Sequence, residues 1–198
     1  MFKFIVKLFI MFSVSMSAYA QSAFSQEHLV SVSSDNSTQI EITVYKEING
    51  YKLPPEPDPT INNSTLLGID SNDNGVRDDV ERKIFAKYKR PIEQAFMMQY
   101  AVRYPKILED PIGAATSEEF KIEHWNLSTC DVYLILQGIE ISNTVDFMED
   151  AYFNTKDRIG AYLEFNQAMS GGVHSMPLLR DADKENCKFN IDELLGME

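Results

Sequence analysis

The sequence predicts a mainly α-helical domain, preceded by a small N-terminal β-hairpin and a proline-rich connector that leads into a loop of Asp and Asn residues. Three observations support this. Apolar residues recur at helical spacing after residue 78, residues 28–46 alternate apolar and polar side chains, and prolines concentrate at residues 54–59. We divide the chain into a leader at 1–20, a hairpin segment at 21–50, the connector at 51–69 and a helical domain at 70–198.

The first twenty residues have the pattern of a secretory signal peptide. Lys3 and Lys7 give a positive start, an apolar run follows at 8–14, and Ala18-Tyr19-Ala20 supplies a small-residue cleavage site. The apolar run is shorter than the roughly 20 residues of a transmembrane helix, and an uncleaved anchor is the alternative. We therefore expect a periplasmic or secreted protein that is not inserted in a membrane after cleavage.

Two short segments of alternating pattern predict the hairpin. Residues 28–34 and 39–46 place apolar side chains at alternate positions on either side of the turn-forming Asp35-Asn36-Ser37. Asn49-Gly50 is a second turn signal, which we interpret as the end of the hairpin. The prolines that follow predict an extended connector.

Apolar residues at helical spacing predict six helices after the connector. The first two meet at Pro91, which interrupts a helix or restarts it at its first turn. Ser128 is a good N-cap and separates the third helix from the fourth. In chain order the helices are predicted from Asp78, from Pro91 to Tyr104, at 117–124, from Ser128, at 146–153 as a separate helix or a continuation of the fourth, and from Asn154 to Gly171.

Residues 70–81 match a twelve-residue calcium loop. Their sequence, Asp-Ser-Asn-Asp-Asn-Gly-Val-Arg-Asp-Asp-Val-Glu, offers an oxygen at each required position, and Gly75 stands at position six, where the chain must turn sharply. Calcium collects six to eight oxygens, and this spacing aims them at one point. The predicted calcium ligands are Asp70, Asn72, Asn74, the backbone carbonyl of Val76, Asp78 and Glu81.

The composition of this loop predicts a weak structural site. Only three of the ligands carry charge, and we expect a dissociation constant of roughly 10⁻⁵–10⁻³ M. The proline-rich approach cannot form an entering helix, and Arg77 stands at position eight, where paired loops place an aliphatic residue. We therefore expect a brace rather than a switch. The alternative is an ordinary Asn/Asp/Gly turn that caps the following helix.

The charge balance indicates what the protein binds. The chain has 30 acidic and 18 basic residues and a formal charge of −12. Such a surface repels nucleic acid and anionic membranes but suits a cation such as calcium. We expect the partner, if there is one, to be a protein or another component of the cell envelope.

Cys130 and Cys187 are the only cysteines, and in an oxidising compartment they predict a disulfide. Closing so long a loop contributes about 4 kcal/mol in the chain-entropy model. Two buried free thiols are the alternative. A metal or redox role is not indicated, because the pair lacks CxxC spacing.

One acidic cluster is a candidate for catalysis. Glu119 and Glu123 are four residues apart and share a face of the predicted helix, with His124 beside them. Such carboxylates can transfer a proton, which gives the alternative function of a calcium-stabilised periplasmic or cell-wall hydrolase. Solvated glutamates on an exposed helix face are the commoner case.

Several segments of the chain resemble a group of uncharacterised exported proteins of Gram-negative bacteria. The segments are Leu53-Pro-Pro-Glu-Pro-Asp-Pro, residues 67–82 with the loop, Asn154-Thr-Lys-Asp-Arg-Ile-Gly-Ala-Tyr, and Cys187-Lys-Phe. The resemblance implies a periplasmic or secreted setting and carries no established activity. The loop itself resembles the EF-hand and, without an entering helix, the calcium loops of dockerin and thrombospondin type 3 repeats. We therefore expect an exported calcium-binding structural or interaction protein.

Overall fold

The computed structural model describes residues 26–28, 45–172 and 175–197. The expected signal peptide at 1–20 and the expected turn at 35–37 lie outside these ranges. The described chain is mainly helical with a small antiparallel sheet, as the sequence predicts. Its elements are β1 Gln26–His28, β2 Tyr45–Ile48, β3 Tyr51–Leu53, α1 Pro59–Asn62, α2 Asp78–Lys87, α3 Pro91–Ala101, α4 Tyr104–Glu109, α5 Pro111–Thr116, α6 Glu118–Leu136, α7 Thr144–Tyr152, α8 Lys156–Met169 and α9 Ile191–Leu195, with 3-10 turns at Leu179–Asp181 and Lys184–Asn186.

The sheet corrects one detail of the predicted hairpin. Asn49 and Gly50, at φ 53° and 77°, form the two-residue turn that joins β2 to β3, so this pair is the centre of a hairpin rather than its end. Two left-handed residues match the twist of paired strands, which is why Asn-Gly favours such turns. β1 pairs antiparallel with β2 and places His28 opposite Tyr45, so the outer ends of the predicted hairpin do meet.

The connector is more structured than the extended segment we expect from its prolines. β3 occupies its first three residues, and α1 begins at Pro59. The carboxylate of Asp58 accepts hydrogen bonds from the backbone N–H groups of Thr60 and Ile61 at 2.8 and 3.0 Å and so caps this helix. A proline at the first position of a helix loses no hydrogen bond, and the proline run therefore permits a helical turn here.

Helix α6 also differs from its prediction. It is a single helix that joins the predicted third and fourth helices, with Ser117 as its N-cap. Ser128 lies inside it and donates its hydroxyl to the carbonyl of His124 at 2.9 Å. The predicted helix boundary at Ser128 is therefore wrong, because serine can form this bond within a helix as well as cap the start of one. α7 is a separate helix, and α4 and α5 are short helices that the sequence analysis did not identify.

The core takes buried side chains from each helix between α2 and α9, with α2 packed against α3 and α7, and α5 packed against α4, α6 and α8. Aromatic rings stack through it, with ring centroids 4.7 Å apart for Tyr104 and Tyr152 and 4.2 Å apart for Phe153 and Tyr162. Other fully buried side chains are Ile84, Ile92, Met97, Leu134 and Met148. Within the described ranges, no helix is both long enough and apolar enough to cross a membrane.

The predicted disulfide between Cys130 and Cys187 is confirmed, with their Cα atoms 5.1 Å apart. It fastens the C-terminal segment to α6. Asn186 strengthens this attachment by donating its side-chain amide to the hydroxyl of Thr129 at 2.8 Å. On α3, Gln99 donates to the carbonyl of Asn186 at 2.8 Å. The C-terminal segment is therefore held against both helices.

Candidate metal centre

The loop at residues 70–81 curls around the carboxylate of Asp70. This carboxylate accepts hydrogen bonds from the backbone N–H groups of Asn74 at 3.2 Å and Gly75 at 2.8 Å. Asp73 and Gly75 have positive φ angles of 54° and 81°, which reverse the chain within three residues. The amide oxygen of Asn74 accepts from the N–H of Val76 at 2.8 Å. Short polar side chains therefore shape the turn by bonding to its own backbone.

Two further hydrogen bonds close the ends of the loop. The N–H of Asp78 donates to the carbonyl of Ile69 at 2.8 Å. The carboxylate of Asp78 accepts from the N–H of Ser71 at 2.9 Å, and burial raises the pKa of this carboxyl. α2 begins at Asp78, so the acidic residues of its first turn lie near the positive end of the helix dipole.

Glu81 is fully buried at the inner side of the loop, with 0% of its surface exposed. Its carboxylate accepts hydrogen bonds from the side-chain amide of Asn72 at 3.3 Å and from that of Asn74. The hydroxyl of Tyr51 also donates to it, and itself accepts from Asn74 at 2.7 Å. These three donors are all uncharged. Burial raises the pKa of Glu81, and burial together with the neighbouring carboxylate raises the pKa of Tyr51.

The structure brings most of the predicted calcium ligands together. Asn74 contacts both Asp70 and Glu81, and Asn72 contacts Glu81. Burial raises the pKa of Glu81, and the negative charge of Asp78 adds to this effect. Burial also raises the pKa of Asp78, and the negative charge of Asp70 adds to it. Hydrogen bonds thus bring Asp70, Asn72, Asn74 and Glu81 together, whereas the carboxylate of Asp78 bonds to the backbone of Ser71.

The loop offers amide oxygens as well as carboxylates as possible metal ligands. In the described part of the chain, no three His, Cys, Asp or Glu side chains form a metal-binding group on their own. A site here depends on the amide oxygens of Asn72 and Asn74 as well as on carboxylates. In the structure the amide nitrogens of both residues face Glu81. A half-turn about the Cβ–Cγ bond exchanges the nitrogen and oxygen of an asparagine amide.

Arg77, which departs from the usual residue at position eight, has a clear role in the fold. Its side chain is 1% exposed, forms an ion pair with Asp79 and lies over the ring of Tyr152, with 5.4 Å between the guanidinium carbon and the ring centroid. It donates to the carbonyls of Ala151 at 2.6 Å and Tyr152 at 3.4 Å. These are the last carbonyls of α7, where the helix dipole favours a cation. Arg77 thus joins the loop to α7.

Asp79 completes this ion pair. Burial disfavours its charge, but the hydrogen bond and charge of Arg77, with a smaller contribution from Lys83, hold the pKa of Asp79 below its usual value. The carboxylate therefore stays ionised beside the loop and offsets the buried guanidinium. The sequence analysis did not identify this pair, because nothing in a single sequence distinguishes a buried arginine from a solvated one.

Arg158 on α8 holds the segment that enters the loop. It is fully buried and donates to the carbonyls of Asn62, Thr65 and Leu66 at 2.6, 2.9 and 2.8 Å. It also donates to the side chains of Asn63 and Asn154. Burial, assisted by the positive charge of Arg77, lowers the pKa of Arg158 to about 10.

Gly68 makes room for both arginines. It has a φ of +73°, and a Cβ atom built there would lie 2.3 Å from Cδ of Arg77 and 3.0 Å from a guanidinium nitrogen of Arg158. Only glycine meets both demands. The identity of this residue, two positions before the loop, is therefore set by the packing of two buried cations.

The candidate catalytic glutamates lie at the surface. The side chain of Glu119 is 81% exposed and lies 3.8 Å from the ammonium of Lys106. Glu123 accepts a hydrogen bond from the same ammonium at 2.7 Å. His124 contacts the guanidinium of Arg103 at 2.9 Å. Both carboxylates are thus paired with one surface lysine, an arrangement that gives no positive indication of catalysis.

Comparisons of the chain with protein-family models, with curated proteins and with solved structures each find no match.

Proposed function

We propose that this is an exported calcium-binding structural or interaction protein in which the loop at 70–81 braces the fold. The observation that carries the proposal is the carboxylate of Glu81, which is fully buried and receives hydrogen bonds from uncharged donors. Burying an ionised carboxylate is costly unless a cation or several hydrogen bonds compensate. Glu81 has the hydrogen bonds but no cation among its hydrogen-bond donors, and calcium at the centre of the loop would supply the opposite charge.

The neighbouring carboxylates point to the same conclusion. Burial raises the pKa of Asp78 and of Glu81, and the charges of Asp70 and Asp78 respectively raise them further, so the loop concentrates negative charge. A divalent cation relieves this repulsion, whereas a surface turn of Asp and Asn would simply face water. Calcium bound to the folded form stabilises it by mass action.

The brace joins three parts of the protein. Tyr51 brings in the sheet by its bond to Glu81, and Arg77 brings in α7 by its bonds to the last carbonyls of that helix. Arg158 fixes the connector that enters the loop. A metal ion here therefore stabilises a junction rather than a free surface loop. The predicted leader, the acidic composition and the disulfide support an exported location.

Isothermal titration calorimetry tests the proposal. Purified protein titrated with calcium chloride is expected to show one binding site with a dissociation constant of roughly 10⁻⁵–10⁻³ M, and weaker binding of magnesium, which suits all-protein oxygen sites less well. Asp70→Asn and Glu81→Gln are expected to abolish the heat, and Glu118→Gln, on an exposed turn of α6, is the matched control. Absence of calcium binding by the unmodified protein would refute the proposal.

A further inference from the structure

A groove of about 540 Å³ runs beside the candidate metal centre, with one face of α3 as its floor. The turn between β2 and β3 and the loop at 70–81 form one wall, and the C-terminal segment forms the other. The C-terminal segment contributes Lys188, Phe189 and Leu194 to the lining. This volume is in the range of small-molecule sites, about 300–1,000 Å³.

The floor of the groove is apolar. Ala95 and Met98 on α3 and Val102 at its C-cap recur at spacings of three and four residues and so lie on one face. Aromatic rings line the walls, since Tyr51 stacks on Phe85 with ring centroids 4.6 Å apart and Phe189 lies on the opposite side. The apolar part of a small ligand would be well accommodated here.

The amide side chains of the lining already have partners. Asn49 donates to Gln94 at 2.9 Å, and Gln94 donates to the carbonyl of Tyr88 at 2.9 Å. Gln99 accepts from the backbone N–H of Lys188 at 2.8 Å while it donates to the C-terminal segment. These amides therefore shape the groove, and their main bonding capacity is used within the protein.

Lys188 gives the groove its charge preference. It is the one charged side chain among the described residues of the lining, and it is exposed at the rim on a chain of net charge −12. In the part of the chain that the structure describes, its ammonium forms no ion pair. An anionic group is the complement of an apolar groove with a single cation at its rim.

The groove and the calcium loop share a wall. Asn74 and Val76 are predicted calcium ligands and also line the groove. Tyr51 lines it as well, and its hydroxyl bonds to both Asn74 and the buried Glu81. A cation that holds these groups in place also holds this wall of the groove in place. Binding at either site therefore strengthens binding at the other.

We propose that the groove binds a small amphipathic anion, with its apolar body against α3 and its acidic group beside Lys188, and that calcium in the loop strengthens this binding. The calcium dependence rests on the proposed function, whereas the groove itself does not. Because linkage is reciprocal, the ligand strengthens calcium binding by the same factor.

Two fluorescent probes that differ only in charge test the proposal. The anion 8-anilino-1-naphthalenesulfonate is expected to bind one site per chain with enhanced emission, and its neutral analogue N-phenyl-1-naphthylamine to bind more weakly. Replacing calcium with a chelator is expected to weaken sulfonate binding about fivefold or more, the lower range of allosteric coupling. Lys188→Gln is expected to weaken binding of the sulfonate roughly tenfold and to leave binding of the neutral probe unchanged, since only the sulfonate can form a charge-assisted hydrogen bond with the ammonium. Lys156→Gln, on an exposed turn of α8, is the control.

Substitutions that fill the groove show where the probes bind. Ala95→Trp and, as a second variant, Val102→Trp are expected to weaken both probes at least tenfold, while Ala168→Trp on the exposed face of α8 does not. Unchanged binding in both groove variants, or no sulfonate binding at all, would overturn the proposal. The proposal would also be overturned if sedimentation showed a dimer that Ala95→Trp dissociates, because the groove would then bind a second copy of the chain.

The two proposals fail separately in this experiment. Calcium heat without probe binding refutes the groove site alone. If the protein binds no calcium but binds the probe, and Ala95→Trp removes probe binding, the groove site is upheld. Its calcium dependence and the proposed function are then both refuted.

Discussion

The hydroxyl of Tyr51 donates a hydrogen bond to the buried carboxylate of Glu81, which ties the last strand of the sheet to the first turn of α2. The two residues are 30 positions apart, since Tyr51 is the first residue of the connector and Glu81 is the last residue of the loop. This bond fixes the two ends of the segment that we propose to bind calcium. The loop is therefore anchored by tertiary structure at its last ligand, which lies within a helix.

Removal of this hydroxyl should destabilise the protein. Tyr51→Phe keeps the stacking on Phe85 but deprives Glu81 of a donor, and a lost hydrogen bond to a charged group costs about 1.5–3 kcal/mol. We expect a loss of this size in urea unfolding with chelator present. Tyr133→Phe on α6 is the control, and an equal loss in both variants would contradict the role given to Tyr51.

Gly68→Ala should be more harmful than an ordinary glycine substitution. Its Cβ would lie 2.3 Å from Cδ of Arg77 in addition to the cost of a φ of +73°. Gly138 has a similar φ of +77°, but a Cβ added there would meet nothing within 4 Å, so Gly138→Ala measures the backbone cost alone. We expect about 1 kcal/mol for the control and at least about 2 kcal/mol more for Gly68→Ala, from denaturant midpoints. Equal losses would show that the arginines do not pack against Gly68 as described.

Arg158→Lys should be strongly destabilising although it keeps the charge. Lysine cannot donate to several carbonyls and amides in a fixed plane, and the carbonyls of residues 62, 65 and 66 would lose their donors. We expect a loss of about 2–4 kcal/mol in the free energy of unfolding. Arg180→Lys, at an exposed position, should change it by less than about 0.5 kcal/mol. A small effect at both positions would argue against an anchoring role for Arg158.

Asp131 on α6 provides a pH test. Burial raises its pKa, so the folded protein holds the proton more tightly than the unfolded chain does. Its contribution therefore favours folding at acidic pH and is lost as the pH rises through the folded pKa. Asp131→Asn should stabilise the protein at pH 7 and have little effect below the pKa of an unfolded aspartate, about 3.9. Glu164→Gln on an exposed face of α8 is the control, and stabilisation by Asp131→Asn that does not depend on pH would contradict the assignment.

The sequence predicts those features that are set by short-range chemistry. The turn at Gly75, the start of α2 at Asp78, the restart at Pro91 and the helical class all follow from residue types at fixed spacing. The cysteine pair follows from an even count and an oxidising compartment, and the structure confirms it. The exported location of the protein, the binding of calcium and the ligating residues remain predictions.

The features that the sequence does not predict are set by long-range packing. In the sequence alone, Arg77 and Arg158 cannot be distinguished from solvated arginines. They become buried because Arg77 bonds to the end of α7 and Arg158 bonds to the turn at residues 62–68. Ser128 has the same preference for a cap as Ser117, and only the packing of the whole helix decides between them. The sequence does not predict the groove either, because its walls come from three separate segments of the chain.

Thermal unfolding with calcium and then with chelator tests the central claim most directly. At about 100 times the dissociation constant, calcium should add roughly 2.7 kcal/mol, and for a chain of this size each kcal/mol raises the midpoint by about 2–4 °C. We therefore predict a rise of about 5–10 °C in the unmodified protein and none in Glu81→Gln. A midpoint that calcium leaves unchanged in the unmodified protein would contradict the account of the loop as a calcium brace.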